Sequence, residues 1–238
     1  MATELSVLYP AYNEEQDIRS TVARSLEALR CLVSSFEIII VDDCGRDSTG
    51  AIADELARQH PEIRVLHNQR NLGHGASLIR GFREARGEWV LHNAMDYPFD
   101  LRDLDKMLPL REQADIVVAV RRQRAGYSFY RKLISVTNVA LLRLMFDLKL
   151  RDYNFVQLFR KTVWDTVPVE ASSTGFLIPS MLFGAHDRGL RIVSVDIDYH
   201  PRLHGTATAG HPKVVLASVR ELFGYWWRRR KRLAASSK

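Results

Sequence analysis

Residues Phe36–Ser48 read FEIIIVDDCGRDS, and this stretch decides the fold. Its first part, EIIIV, is a short β-branched run typical of a strand that is covered on both faces. The run stops at two adjacent carboxylates, Asp42 and Asp43, and a turn with Gly, Asp and Ser leads into a helical segment at 49–59. A strand that delivers acids to its carboxyl end before a turn and a helix is how an open parallel sheet builds a ligand site.

The alternation of strand and helix continues on both sides of this stretch. Further strands are predicted at 5–9, 63–67, 89–92 and 115–120, with helices at 14–33, 76–86 and 101–111. Pro10 is expected to end the first strand, Asn13 to cap the helix after it, and Gly87 to end the helix at 76–86. The pattern predicts an α/β fold with a mostly parallel central sheet and helices on both faces. Tyr12, Glu14, Asp43 and Asp96 follow three of these strands and are expected to line one crevice.

The residues after 120 follow a less regular pattern. A basic loop at 121–128 precedes a helix at 129–146 that is apolar around most of its circumference. Strands are predicted at 153–159 and 191–199, and helices at 178–188 and 212–232, the last of which ends in WWRRRKR. Two interpretations of the apolar helix and the basic end stay open. They form either an interfacial surface on a membrane, or a buried helix and a packed helix with a basic, solubilising tail.

The composition is that of a globular domain with local excesses of positive charge. The 238 residues are 46% hydrophobic and 26% charged, with a net charge of +6. The excess lies at 121–132 and 228–232, each of which holds five basic residues and no acid. Such runs indicate an anionic partner: phosphate, a membrane surface or nucleic acid. The sequence predicts no signal peptide, and no apolar run approaches the about 20 residues that span a bilayer.

Two motifs at the strand ends resemble the family 2 glycosyltransferases, whose N-terminal half is the GT-A nucleotide-binding fold. They are VLYPAYNEE at 7–15 and IIIVDDCGRDSTG at 38–50. The resemblance continues through VLHNQRNLGHGASLIRGFREARGEWVL at 65–91 and DIDYHPRLHG at 196–205, so it covers most of residues 4–210. The order of segments and the basic loop before an apolar helix look most like the dolichyl- or polyprenyl-phosphate sugar transferases.

The resemblance implies a GT-A domain at 1–210, with a nucleotide-binding half at 1–120 and an acceptor half at 121–210. Residues 211–238 are then a C-terminal amphipathic basic helix and tail.

The resemblance also implies which residues bind the donor. Pro10, Tyr12 and Glu14 match the positions that hold the nucleoside, and Asp43 matches the residue that accepts a hydrogen bond from the imino N–H of a base. Tyr12 offers an aromatic face on which a base stacks. For Asp42 two roles stay open: part of the site, or a cap for the turn before Thr49. The base, guanine or uracil, and the sugar also stay open.

The metal motif departs from the family pattern. Where the family has Asp-x-Asp after the fourth strand, this chain reads Ala94-Met95-Asp96. Asp96 alone is therefore predicted to bind Mg²⁺ or Mn²⁺ with the diphosphate, since Mg²⁺ needs few protein carboxylates beside substrate phosphates. His92 and Asn93 are candidates for polar support. The missing acid indicates weaker metal dependence, or a chain that binds without turnover.

Arginines and one further acid complete the predicted site. Arg121 and Arg202 match family arginines near the diphosphate and on the acceptor side, and with Asp96 they are the predicted catalytic residues. Arg131, Asp152 and Arg202 are predicted to face the acceptor. A lipid phosphate acceptor arrives ionised and needs no general base. A hydroxyl acceptor needs one, and Asp152 is the nearest candidate.

The resemblance implies an inverting transferase that moves a sugar from a GDP- or UDP-linked donor to polyprenyl phosphate. We expect it to be cytoplasmic and peripheral on the inner face of the membrane. Two alternatives remain: the same fold acting on a soluble hydroxyl acceptor, and a non-catalytic nucleotide-sugar-binding relative, which Ala94 suggests. Nucleic acid is not an expected partner, because it explains the basic runs but not the acids gathered at the strand ends.

Overall fold

The computed structural model describes residues 2–122, 129–198 and 212–236. Within these ranges the strands are β1 Leu5–Ala11, β2 Phe36–Asp42, β3 Ile63–His67, β4 Trp89–His92, β5 Ile116–Arg121, β6 Gln157–Arg160 and β7 Ile192–Ile197. The helices are α1 Ile18–Leu32, α2 Thr49–Gln59, α3 His74–Glu84, α4 Leu104–Met107, α5 Phe129–Met145, α6 Lys161–Thr166, α7 Leu177–His186 and α8 Pro212–Ser236. Leu101–Asp103 and Leu108–Glu112 are 3₁₀ turns on either side of α4.

The described strands form one sheet in the order β3-β2-β1-β4-β6-β5-β7. β6 is antiparallel to both of its neighbours, whereas the other pairs are parallel. The mostly parallel sheet that the sequence predicts is therefore confirmed. The chain leaves β1 towards β2 and β3 on one side and returns to β4 on the other. This reversal opens a crevice at the carboxyl ends of β2, β1 and β4, where ligands bind in open α/β sheets.

Helices cover both faces of the sheet, because alternate strand residues point in opposite directions. Val7, Tyr9 and Ile38 pack with α1 and α2 in one hydrophobic cluster. Leu8 and Ile39 pack on the other face in a second cluster, with residues of α3, α5, α6, α7 and α8. Of the helices that the structure describes, none combines the length and the apolar content required to cross a bilayer.

The sequence predicts that the first strand ends at Pro10. In the structure, β1 continues to Ala11. Leu8 accepts a hydrogen bond from Asn93 on the β4 side, and Ala11 accepts one from Asp43 on the β2 side. The nitrogen of Pro10 faces the same side as Leu8, where the pairing with β4 has already ended at Leu8. Proline is tolerated there because no ladder hydrogen bond requires its missing N–H.

Two helix boundaries also differ from the prediction. Asn13 does not cap α1, which begins at Ile18 after Asp17. Gly87 does not end α3, which stops at Glu84. Gly87 instead lies against β1, where a Cβ atom would come within 2.5 Å of the backbone nitrogen of Ser6. A close approach of two backbone segments, rather than a left-handed helix end, therefore accounts for this glycine.

Candidate active site

The crevice brings together the predicted site residues that follow β1, β2 and β4. Tyr12 comes directly after β1 with 41% of its surface exposed. Asp43 comes directly after β2 and is 3% exposed. Asp96 lies in the loop after β4 and is partly buried. Because β2, β1 and β4 are adjacent and parallel, an aromatic ring and two carboxylates converge at one edge of the sheet.

The loop after β1 is fastened to the turn after β2 through Asn13. Asn13 has a positive φ of 57°, a conformation that asparagine adopts more readily than most residues. Its Oδ1 accepts a hydrogen bond of 2.8 Å from the backbone N–H of Arg46. The fit is close, since a Cβ on Gly45 would lie 3.0 Å from the same oxygen. The loop after β1 and the turn after β2 are thereby held together.

Asp47 and Thr49 make the second connection between these segments. Asp47 accepts hydrogen bonds from the backbone N–H of Thr49 at 3.0 Å and of Glu15 at 3.1 Å. Thr49 Oγ1 also donates to Asp47 Oδ1 at 2.6 Å. Burial disfavours the charged carboxylate, but the hydrogen bond from the Thr49 side chain and the backbone ones outweigh that effect and lower the pKa of Asp47. Thr49 Oγ1 in turn accepts from the backbone N–H of Glu14 at 2.7 Å. Asp47, and not Asp42, therefore caps the turn before Thr49.

Asp43 supports the loop that follows β3. Its Oδ1 accepts hydrogen bonds from Asn68 Nδ2 at 2.7 Å and from the backbone N–H of Leu72 at 2.8 Å. Its Oδ2 accepts from the backbone N–H of Gly73 at 2.8 Å. A carboxylate offers about four lone-pair positions, so these three donors leave room for one more. Asp43 thus shapes the wall of the crevice and retains the capacity to accept one N–H from a ligand.

Asp42, at the end of β2, is joined by hydrogen bonds through His67 to Asp54 in α2. His67 Nδ1 lies 2.9 Å from Asp42 Oδ2, and His67 Nε2 lies 3.0 Å from Asp54 Oδ1. The hydrogen bond with Asp42 raises the pKa of His67 against the opposing effect of burial, and the contact with Asp54 adds to the rise. The ring ties the end of β2 to α2 most strongly when it is protonated.

His67→Gln is expected to remove a pH-dependent part of the stability. The folded-state pKa of His67 lies above its ordinary value of 6.5. Its stabilisation is therefore fully present below that value and is lost as the pH rises through the raised pKa. Urea unfolding at about pH 5.5 and about pH 8.5 measures the difference. The variant should lose more free energy of unfolding at the lower pH. An equal loss of unfolding free energy at both pH values would contradict a stabilising role for protonated His67 between Asp42 and Asp54.

The loop that carries Asp96 is held by Asn93 and Thr21. Asn93 is 1% exposed; its Nδ2 donates to the backbone oxygen of Phe99 at 2.8 Å, and its Oδ1 accepts from the backbone N–H of Ala94 at 3.0 Å. Thr21 Oγ1 donates to the backbone oxygen of Met95 at 2.5 Å. Asn93 therefore supplies the polar support that the sequence suggests, whereas Thr21 is separated from Met95 by 74 residues and gives no local signal.

His92 has a packing role in the structure. Its ring lies edge-on to Phe82 with centroids 6.0 Å apart. Burial, and to a lesser extent the neighbouring His74, lower the pKa of His92 to about 3. The imidazole is therefore neutral at physiological pH and adds no charge to the crevice.

The residues after β4 fit a divalent cation only in part. Among the described residues, no group of three or more His, Cys, Asp or Glu side chains is placed to hold a metal ion. Ala94 supplies no ligand, so Asp96 is the acid of the Ala94-Met95-Asp96 segment that can bind a cation; Asp100, further along the loop, pairs with Arg102 at 2.6 Å. The donor set therefore suits a hard cation that takes most of its oxygen ligands from a diphosphate and water.

Arg121 and Asp152, predicted separately from the sequence, form a buried ion pair. Arg121 Nε lies 2.7 Å from Asp152 Oδ2, and a second hydrogen bond of 3.1 Å joins the other oxygen. The two side chains are 9% and 3% exposed. Arg121 also lies over the ring of Phe155, 4.9 Å from its centroid. The backbone N–H of Asn154 donates to Asp152 as well, so both carboxylate oxygens already accept hydrogen bonds.

The remaining predicted arginines fall where their side chains are not described. Arg202 lies outside the described residues. Arg131 lies in α5, of which only the backbone is described at that position. Their roles stay predictions.

The sheet order and the crevice define a GT-A fold. A solved structure with the same arrangement is glucosyl-3-phosphoglycerate synthase from Mycobacterium tuberculosis in complex with Mn²⁺, UDP and glucosyl-3-phosphoglycerate. The TM-score is 0.70 at 20% identity, over 94% of this chain and 80% of that one. At this identity the likeness establishes the fold. The model of glycosyl transferase family 2 matches residues 6–167, and the chain belongs to that family.

Relatives of known activity extend over most of the chain. Dodecaprenyl-phosphate galacturonate synthase from Rhizobium johnstonii is 29% identical over 87% of this chain and 62% of its own length. Dolichol-phosphate mannosyltransferase from Pyrococcus furiosus is 28% identical over 85% of this chain and 58% of its own length. The chain thus spans about three fifths of the length of these relatives. The resemblance to polyprenyl-phosphate sugar transferases that the motifs indicate is confirmed.

Proposed function

We propose that this chain is an inverting glycosyltransferase that moves a sugar from a nucleoside diphosphate to polyprenyl phosphate at a membrane surface. The observation that carries the proposal is the convergence of Tyr12, Asp43 and Asp96 at one sheet edge in a family 2 chain. The relatives named for dodecaprenyl and dolichol phosphate support the choice of acceptor. We further propose peripheral association with the cytoplasmic face of the membrane.

The nucleoside is proposed to bind between the loops after β1 and β2. The exposed ring of Tyr12 offers a face for base stacking. Asp43 has one acceptor position left for a base imino N–H. Pro10 is buried near the end of β1. The backbone N–H of Glu14 donates a hydrogen bond to Thr49 Oγ1, which fixes the position of Glu14. The rigid fastening of these loops reduces the ordering that donor binding requires.

The diphosphate is proposed to lie next to Asp96. Asp96 would hold Mg²⁺ or Mn²⁺, and such a cation, when bound, neutralises the charge that develops on the departing diphosphate. Arg121 and Arg202 are proposed to add positive charge on the diphosphate and acceptor sides. Asn93 keeps the Asp96 loop in place. Asp96 would thus act on the leaving group from a loop whose position is fixed before the substrate arrives.

The state of Asp152 favours an acceptor that needs no general base. Both of its oxygens accept hydrogen bonds, two of them from the guanidinium of Arg121. To reach a sugar hydroxyl as a base, this buried carboxylate would have to give up its contacts with Arg121. A lipid phosphate is already ionised and attacks the anomeric carbon once it is held in line. We propose that Arg131 and Arg202 hold the acceptor phosphate and that Asp152 borders this side of the site, where it fixes the guanidinium of Arg121.

The purified chain tests this proposal with a panel of UDP- and GDP-sugars, Mg²⁺ or Mn²⁺, and undecaprenyl phosphate in detergent. We expect a sugar–phosphate–lipid product that partitions into organic solvent, and no product when the lipid is replaced by undecanol or soluble sugars. Transfer to a soluble hydroxyl acceptor alone would overturn the choice of acceptor. Nucleotide binding without turnover on any acceptor would favour the non-catalytic alternative.

A further inference from the structure

One face of α8 packs firmly on the domain. Leu222 and Tyr225 are 3% and 1% exposed and belong to the second hydrophobic cluster. Glu221, which directly precedes Leu222 in α8, accepts hydrogen bonds from Ser173 Oγ at 2.6 Å and from the backbone N–H of Ser172 at 3.1 Å. These contacts fix the rotation of the helix and therefore decide which side chains point outward.

Three of the five basic residues at 228–232 are engaged by acids of the same chain. Arg228 and Arg232 lie 3.0 Å and 2.8 Å from the carboxylate of Glu170. Arg229 is 7% exposed, donates three hydrogen bonds to Asp187 and lies 3.2 Å from Asp147. The basic run is therefore not a uniform cationic patch, and these three arginines hold the helix on the domain.

The opposite face of α8, which we name the outer face, combines apolar and cationic side chains. Its apolar members recur at helical spacing and are Leu216 at 71% exposure, Val219 at 37%, Phe223 at 50% and Trp227 at 59%. Its cations are Arg220, Arg230 and Lys231, all exposed. Arg230 lies 4.8 Å from the ring of Trp226, and Lys231 lies 5.3 Å from that of Trp227. Glu221 is the one acid between 212 and 236, and it belongs to the packed face.

We propose that the outer face of α8 docks on an anionic phospholipid surface. An exposed apolar stripe with an indole at its edge and cations beside it is the pattern by which a helix lies in a membrane interface. The absence of acids from this face of the described helix excludes the repulsion that an anionic headgroup would meet there. This inference rests on the proposed function in one respect: a lipid acceptor requires a chain that works at a bilayer.

A path of direct contacts links this helix to the donor crevice. Glu221 of α8 binds Ser172, and the backbone oxygen of Ser172 lies so close to Gly75 that a Cβ there would come within 1.7 Å of it. Gly75 lies in the first turn of α3, two residues after Gly73, whose backbone N–H donates to Asp43. A bilayer on the outer side of α8 is therefore connected to Asp43, in the proposed nucleotide site, through α8 and three successive contacts.

Flotation of the full chain with vesicles of phosphatidylcholine, with and without phosphatidylglycerol, tests the proposal. Arg220→Gln/Arg230→Gln/Lys231→Gln should lower the partition coefficient on anionic vesicles about a hundredfold, since each cation near such a surface contributes about fivefold. Phe223→Ala/Trp227→Ala should lower binding to both vesicle types. The matched control, Arg19→Gln/Arg30→Gln/Arg58→Gln, removes the same charge from α1 and α2 on the other face of the sheet and should bind like the unaltered chain.

Equal losses in the two triple variants would overturn the docking face, as would absence of binding to any vesicle. Conversion of a dimer to a monomer by Phe223→Ala/Trp227→Ala would overturn it too, because a second copy would then cover the stripe. Thermal unfolding of each variant checks that α8 remains packed. Vesicle binding without sugar transfer would contradict the proposed function alone, whereas transfer in detergent with no vesicle binding would contradict the docking face alone.

Discussion

Asp96→Asn is expected to lower kcat/KM for sugar transfer by about 10²- to 10³-fold, the usual effect of removing a group that stabilises leaving-group charge. The substitution keeps the shape of the side chain and removes its negative charge. Ala94 cannot compensate, because it offers no ligand atom in the same loop. Asn93 and Thr21 hold the loop by contacts that do not involve the Asp96 carboxylate, so its backbone should stay in place.

The measurement separates a loss of cation binding from a loss of donor binding. Affinity for UDP or GDP, measured with and without Mn²⁺, should lose its dependence on the cation in Asp96→Asn while the affinity without the cation stays the same. Asp105→Asn is the matched control, since Asp105 is an exposed acid a few residues further along the chain, in α4. Full turnover in Asp96→Asn would contradict the role of Asp96 and would indicate chemistry that needs no protein carboxylate at this position.

The elements that the sequence predicts best are those whose signals are local. α2, β3 and β4 begin and end at the predicted residues, because an apolar run meets a turn residue or a proline within a few positions. The family motifs place Asp43 and Asp96 for the same reason: each follows a strand directly or within one short loop. Strand direction is not a local property. The antiparallel course of β6 depends on which neighbours it meets in the sheet.

The residues that escaped prediction act across long separations in the chain. Asn13 resembles a helix cap in the sequence, but its oxygen accepts from Arg46, 33 residues away. Arg229 resembles part of a solvated basic run, but its acids, Asp187 and Asp147, are 42 and 82 residues away. No pattern of spacing carries such information. It arises only when the packing of helices on the sheet brings the two segments together.

Asp152→Ala is expected to destabilise the folded state by about 3–5 kcal/mol, because it removes the buried carboxylate that accepts two hydrogen bonds from the guanidinium of Arg121. Arg121 is 9% exposed in the pair, so its guanidinium has little access to water. For a chain of this size the melting temperature should fall by about 10 °C. Thermal and urea unfolding measure the change, and they do so independently of any activity.

Arg151→Ala provides the matched control for that substitution. Arg151 precedes Asp152 in the chain and pairs with Asp196, but the two side chains are 61% and 32% exposed. An exposed pair of this kind contributes at most about 1 kcal/mol. Arg121→Leu/Asp152→Leu removes both buried charges together and should recover much of the stability lost in Asp152→Ala, since no unpaired charge remains. If Asp152→Ala were as stable as Arg151→Ala, the Arg121–Asp152 pair would not be buried in solution, and Asp152 would again be available as a base for a hydroxyl acceptor.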